Sequence, residues 1–144
     1  MNFLDIKAGD DVEVGTQIAF RFWRYVFPSH DAPLRLLSYV SPLRWRPKTP
    51  VEATSPDFEQ QGIHGFKTME DLLFAVRGDP SNLITRSKIT GCDGVVIGTV
   101  ALWGIIWQHA RGYRAQFARP TSFTSAYGER TACALTELQS RFLS

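Results

Sequence analysis

A chain of 144 residues with 44% hydrophobic and 21% charged residues has ordinary globular composition and is long enough to bury its own core. Sixteen basic residues against fourteen acidic ones leave a formal charge of +2, which excludes a strong field over the whole molecule. A nucleic-acid partner would therefore need a local basic face rather than a high net charge.

The charges are unevenly distributed along the chain. Residues 5–13 hold four acidic residues against a single lysine. Two later segments combine arginine with aromatic residues: residues 21–48, in which Asp31 is the single acid, and residues 111–119, which contain no acid. The pattern is thus an acidic, irregular lead-in over residues 1–16, followed by two stretches rich in arginine and aromatic residues.

The first regular element is predicted over residues 17–27, where aromatic and β-branched residues alternate at period two, as is typical of a strand. After a proline-containing turn, residues 34–40 can return as its partner and form a hairpin. Three prolines in residues 41–50 exclude a helix or a central strand and predict an extended connection. A short edge strand beginning at Val51 and a polar loop over residues 54–61 are expected next.

Residues 62–66 are predicted to form a short strand that leads into a helix. Thr68 is a suitable N-cap for this helix, with Asp71 at the capping-box position, and Gly78 is a suitable C-terminal stop. Residues 83–90 fit either a short strand or a poorly formed helix.

The longest apolar run, residues 95–120, alternates at period two and is broken by a small polar turn near Ala110. It predicts a long β-hairpin with bulky aromatic residues on both arms. A polar spacer is expected over residues 121–128, and helical spacing of apolar residues predicts a C-terminal amphipathic helix over residues 129–143. Together these elements favour one α+β domain over residues 1–144: a strongly bent antiparallel sheet or small, partly open β-barrel, with one middle helix and one C-terminal helix.

The first residues lack the basic and apolar regions of a signal peptide, so a cytoplasmic location is expected. Cys92 and Cys133 have no CxxC spacing and are expected to be free thiols in a reducing compartment. Residues 95–107 are apolar but too few for a membrane helix, so no membrane partner is expected.

Catalytic motifs are few. His30, His64 and His109 do not have the spacing of metal ligands, and no phosphate loop, GxGxxG or GxSxG motif occurs. A nucleophilic pair of Cys92 and His64 can be drawn, but any chain with two cysteines and three histidines allows such a pair. The sequence therefore favours a non-enzymatic protein with no metal and no cofactor.

Arginine interleaved with aromatic residues is typical of surfaces that bind nucleic acids or proteins. Part of this set must fill the core, and the surplus predicts a binding face. The main hypothesis is a binding module for a protein or a nucleic acid, including an interaction protein or inhibitor carried by a mobile element. Its candidate partner-face residues are Arg21, Trp23, Arg24, Arg111, Tyr113, Arg114 and Arg119.

Two other functions stay open. A small-ligand or enzymatic site in a barrel mouth would be lined by His64, Trp103 and His109; His64 precedes a helix N-terminus, where anions are favoured. A self-associating structural subunit would form homo-oligomers through exposed strand edges or the proline-rich arm.

The hairpin also resembles a group of small uncharacterised bacterial proteins with the pattern G-x-V-x-L-W-G, a histidine, and then G-Y-R-A-E-x-A-x-P. The residues that match are Gly98, Val100, Leu102, Trp103, Gly104, His109, residues 112–115 and Pro120. Residues 62–66 match the group's G-I-Y/H-A segment, but residues 59–61 replace its preceding cysteines and Gln116 replaces its glutamate. The resemblance spans residues 18–120 and implies a single domain without a known activity.

Overall fold

The computed structural model describes residues 3–4, 16–39, 43–53, 62–87 and 92–143, and about half of these residues lie in antiparallel strands. The strands are β1 (Phe3–Leu4), β2 (Gln17–Val26), β3 (Arg35–Ser38), β4 (Arg44–Trp45), β5 (Val51–Glu52), β6 (Ile63–Phe66), β7 (Gly94–His109) and β8 (Gly112–Gly128). The helices are α1 (Met69–Ala75), α2 (Ser81–Ser87) and α3 (Thr131–Phe142).

The strands form one sheet in the order β1-β7-β8-β6-β2-β3-β4, with β5 paired to β8. An additional pairing of β7 with β2 joins β7, β8, β6 and β2 into a ring. Because β2 and β6 meet through the single pair Phe20 and Phe66, the sheet is strongly bent and ring-like without being a clear barrel. The predicted α+β class with a bent antiparallel sheet is confirmed.

The predicted long hairpin is formed by β7 and β8, which turn at Ala110 and Arg111. The expected polar spacer over residues 121–128 is wrong, because β8 continues through it and pairs with the first half of β7. Thr99 pairs with two hydroxyls of this segment, since its Oγ1 lies 2.7 Å from Oγ1 of Thr121 and 2.6 Å from Oγ of Ser122. Serine and threonine thus extend the strand when a cross-strand hydroxyl pairs with them.

The first hairpin is confirmed as β2 and β3, and Val51 begins the short edge strand β5. The described part of the proline-rich connection, residues 43–50, contains the two-residue strand β4, which lies at the end of the sheet where prolines are tolerated. In the lead-in, Phe3–Leu4 pairs with β7 instead of being irregular. Most of the remaining lead-in and the predicted loop over residues 54–61 lie outside the described residues.

The middle helix α1 begins as predicted. The Thr68 hydroxyl accepts a hydrogen bond from the backbone N–H of Asp71 at 3.0 Å, and Gly78 ends the helix at φ 80°. The ambiguous segment that follows forms the helix α2, one more than expected, and Asp79 caps it by accepting from the backbone N–H of Ser81 at 3.0 Å. Local capping therefore decides both helix starts.

The core lies on one face of β2, where Ala19, Trp23 and Tyr25 are fully buried. Trp23 packs edge-on against Trp45, with 5.5 Å between ring centroids. The hairpin contributes its own inward row of Val100, Leu102 and Ile106. The opposite face of β2 packs under α1 and α2, which close a smaller cluster around Val76, Leu83 and Val95. Both faces of β2 are therefore covered.

Gly98 is required where β7 and β8 approach most closely. An added Cβ would overlap the backbone oxygen of Ser122 and lie 2.8 Å from its carbonyl carbon. We expect Gly98→Ala to lower the free energy of unfolding by about 3 kcal/mol, because the neighbouring backbone must move. Urea unfolding measures this, with Gly78→Ala as the control.

Gly78 has a positive φ but nothing within 4 Å of an added Cβ, so its substitution is expected to cost only about 1 kcal/mol. Equal losses in the two variants would contradict the steric explanation for Gly98.

Candidate functional site

The two arginine-rich segments of the sequence meet beside the middle of β8. Arg119 of β8 lies near Arg46 and Lys48, and the three line a cavity of about 250 Å³. The remaining lining residues are Thr49, Pro50, Pro120, Thr121, Phe142 and Leu143. The cavity wall thus supplies three cations and two hydroxyls, and none of the described lining residues carries a side-chain carboxylate.

The cavity is formed by a tight turn, a strand and a helix end. The turn after β4 closes with a hydrogen bond from Thr49 N–H to the Arg46 carbonyl at 3.4 Å, and Lys48 adopts a left-handed φ of 58°. Phe142 and Leu143 come from the end of α3, whose terminal carbonyls carry roughly half a negative charge. This partial negative charge offsets only a fraction of the positive charge of Arg46, Lys48 and Arg119.

Further arginines extend the positive charge along β3 and β4. The pKa of Arg44 is lowered, first by desolvation and then by neighbouring positive charges. Those charges belong to Arg46, Arg35 and Arg141. We call Arg35, Arg44, Arg46, Lys48 and Arg119 the basic surface. None of these five forms an ion pair with a carboxylate of the described residues.

Arg141 differs from its neighbours because it is neutralised. Its Nη1 lies 2.7 Å from Oε2 of Glu137 and also donates to the Leu34 carbonyl at 3.0 Å. The same carboxylate accepts from the Leu34 N–H at 2.6 Å. Glu137 and Arg141 therefore fasten α3 to the chain before β3, and the basic surface keeps its surplus charge.

Two of the predicted partner-face residues lie inside the protein. Trp23 is fully buried and contributes no area to a partner face. Arg21 donates to the backbone oxygen of His64 and to Oγ of Ser38, and its guanidinium lies 4.8 Å from the Trp45 ring centroid. Burial and, secondarily, the charge of Arg114 lower the pKa of Arg21 to about 10. Arg21 therefore links β2 to β3 and β6, at the point where the strand paired with β2 changes from β6 to β3.

Three more predicted face residues are not among the five of the basic surface, although Arg24 lies on the same face of the sheet as Arg44, because both are directly opposite Leu37. Arg24 donates to the Ser38 backbone oxygen at 2.8 Å on the opposite face of β2 from Trp23. Arg111, in the hairpin turn, pairs with Asp71 at 3.2 Å and lies 3.9 Å from the Phe74 ring centroid. Tyr113 packs near the ammonium group of Lys67 at 5.7 Å. Of the seven predicted residues, Arg119 alone belongs to the basic surface.

Arg114 lies in a different row of side chains across the sheet. In the strand registers, Arg114 is directly opposite His64 of β6 and Trp107 of β7. The His109 charge is close enough to affect His64, whereas Trp103 pairs with Phe117 and stacks on it at 5.8 Å. The predicted ligand residues His64 and His109 are therefore near each other, and Trp107 rather than Trp103 accompanies them.

Sequence reasoning did not select Arg35, Arg44, Arg46, Lys48 or Trp107 as site residues. A signal for the first four was present in residues 21–48, where basic residues outnumber the single acid. The meeting of this segment with Arg119 depends on the path of the chain after β4, which contains no alternation or motif. The position of Trp107 opposite Arg114 depends on the irregular register between Trp103 and Ile106, which the sequence does not show.

Comparison with protein-family models, curated proteins and solved structures finds no match to this chain. The resemblance of the hairpin to the small bacterial group therefore stays a prediction.

Within the described ranges, no three His, Cys, Asp or Glu side chains are grouped as a metal site would require. No helix in this part of the chain has both the length and the apolar character to cross a membrane. Cys92 and Cys133 are free thiols.

Proposed function

We propose that this chain is a non-enzymatic binding module that holds a nucleic acid on the basic surface. The proposal depends on one observation: five cations gathered from β3, β4, the following turn and β8 have no carboxylate partner among the described residues. Unpaired arginine and lysine on one face are the electrostatic footprint of proteins that neutralise phosphates.

The shape of this surface supports a phosphate ligand. The cavity beside Arg119 gathers three cations, whereas its Thr49 and Thr121 hydroxyls are already bonded to the Pro47 carbonyl at 3.2 Å and to Thr99 Oγ1 at 2.7 Å. Arginine can also bind phosphate with two parallel hydrogen bonds. An acidic protein would be bound through the same charges and is an alternative outcome of the test below.

The test removes three cavity cations together. We expect Arg46→Gln, Lys48→Gln and Arg119→Gln, combined in one variant, to weaken nucleic-acid binding on the order of 100-fold in 0.1 M salt, because each lost phosphate contact removes one released counterion. The measurement is fluorescence anisotropy with labelled single-stranded and double-stranded DNA and RNA over a range of salt concentrations. The slope of log affinity against log salt should fall by roughly 2 to 3.

The matched control changes three exposed arginines that lie elsewhere, Arg77, Arg111 and Arg130, to glutamine. It removes the same charge and is expected to bind almost as the unmodified protein does. Equal weakening in both variants would mean that net charge alone drives binding. Failure of every nucleic acid to bind would contradict the proposal, and salt-sensitive retention of acidic proteins would then support a protein partner.

A further inference from the structure

Across β6, β8 and β7, three side chains lie side by side on one face of the sheet. His64 is opposite Arg114, and Arg114 is opposite Trp107. Directly opposed residues of antiparallel strands point to the same side, with Cβ atoms about 5 Å apart. An imidazole, a guanidinium and an indole therefore form a continuous row, which we call the His64 row.

The polar groups of this row are unused within the protein. Among the described residues, nothing forms a hydrogen bond or an ion pair with the half-buried guanidinium of Arg114. The imidazole of the mostly buried His64 likewise makes no hydrogen bond in this part of the chain. The nitrogens of His64 and Arg114 are not among the fully buried atoms that lack a partner, so they reach solvent and are available to a ligand without breaking a contact among the described residues.

Arg114 also differs from the other arginines that lie near aromatic rings. Arg21, Arg111, Arg130 and Arg141 each have a guanidinium within 6 Å of an aromatic ring centroid. Arg114 has no such ring contact within the described residues, although Trp107 is its cross-strand neighbour. No aromatic ring of the described residues therefore engages the Arg114 guanidinium.

Among the described residues, the charged groups that affect the pKa of His64 are all basic. They are Arg114 from β8, Arg21 from β2 and His109 from β7. Burial, followed by these charges, lowers the pKa of His64 to about 3, so the imidazole is neutral at pH 7 and can donate one N–H. Gly112, two residues before Arg114, has no side chain to cover the ring; a Cβ there would lie 3.2 Å from Nε2 of His64.

We infer that the His64 row is a binding site for the oxyanion group, a carboxylate or phosphate, of a small organic ligand. Arg114 supplies a fork of donors that matches two oxygens, and His64 supplies a further N–H. Arg21 contributes positive charge from behind, and Trp107 provides a flat apolar surface beside the anion. This site is separate from the basic surface and does not depend on nucleic-acid binding.

The experiment follows the imidazole signals of His64 by NMR while inorganic phosphate or benzoate is added to the full chain. We expect a saturable shift and an increase of the His64 pKa, because the bound anion offsets the surrounding positive charge. A stronger response to phosphate indicates a phosphate ester as ligand, and a stronger response to benzoate indicates an aromatic carboxylate. Either result supports the site, and the local signal distinguishes it from anions held at the basic surface.

Arg114→Gln is expected to weaken the response about 10- to 100-fold, the range for losing a charge-assisted hydrogen bond. Arg111→Gln, which removes the same charge in the nearby hairpin turn, should leave the response unchanged. Absence of a His64 shift with both anions in the unmodified protein would overturn the inference, whatever the variants do. Equal weakening by the two substitutions would overturn it as well.

Discussion

Replacing Trp23 by alanine is expected to lower the free energy of unfolding by about 3 to 5 kcal/mol, the range for truncating a buried aromatic residue. The indole is fully buried, and its ring lies 5.5 Å from Trp45 and 5.2 Å from Phe123. Truncation would leave a cavity bordered by two aromatic rings that cannot move into it without leaving their own contacts. Urea unfolding and the thermal midpoint measure the loss.

Phe74→Ala is the matched control, because this phenylalanine is 65% exposed. Its truncation should change stability by less than about 1 kcal/mol. A Trp23→Ala protein with unchanged stability and impaired partner binding would contradict the core assignment and return Trp23 to the partner face that its sequence context suggests.

The stability of the protein is expected to fall as the pH is lowered from 6.5 toward 3, and His64 is the reason. Its pKa is lowered from 6.5 to about 3 by burial and by the charges of Arg114, Arg21 and His109. Between these values the unfolded chain binds a proton that the folded protein excludes. The contribution of His64 is therefore fully present above pH 6.5 and is lost as the pH falls, at up to about 1.4 kcal/mol per pH unit.

Urea unfolding at several pH values, with and without His64→Gln, isolates this contribution from the carboxylates that titrate in the same range. The variant should lose less stability than the unmodified protein between pH 6.5 and 4. His30→Gln, which changes an exposed histidine, is the matched control for the loss of an imidazole. Parallel pH profiles for all three proteins would show that His64 is freely protonated in the fold.

Elements with strong local signals could be predicted from the sequence. Alternation located β2 and the long hairpin, and the capping residues Thr68 and Gly78 located α1. The far half of β8 was not predicted, because serine and threonine are typical of loops until Thr99 is placed opposite them. The sequence does not distinguish the helix α2 from a short strand, because the start of this helix depends on Asp79 capping a segment of mixed pattern.

The candidate site was only partly predictable, because alternation within a strand does not reveal which face is covered. Arg21 and Trp23 lie on the face that became the core, whereas Arg119 reached the surface. The predicted association of His64 with His109 depends on the register of β6, β8 and β7, which no single strand encodes. Charge composition was the better guide, since the basic surface comes mainly from the segment with one acid.

The pairing of β2 with β7 has a consequence for how the chain folds during synthesis. Gln17 lies opposite Leu102 and Tyr25 opposite Gly94, so the nine residue pairs between β2 and β7 join segments far apart in sequence. Such non-local pairing is slow, because a long loop must close before any of its contacts form. Until β7 leaves the ribosome, the β2–β3 hairpin has one open edge, and unpaired edges of this kind favour aggregation and recruit chaperones.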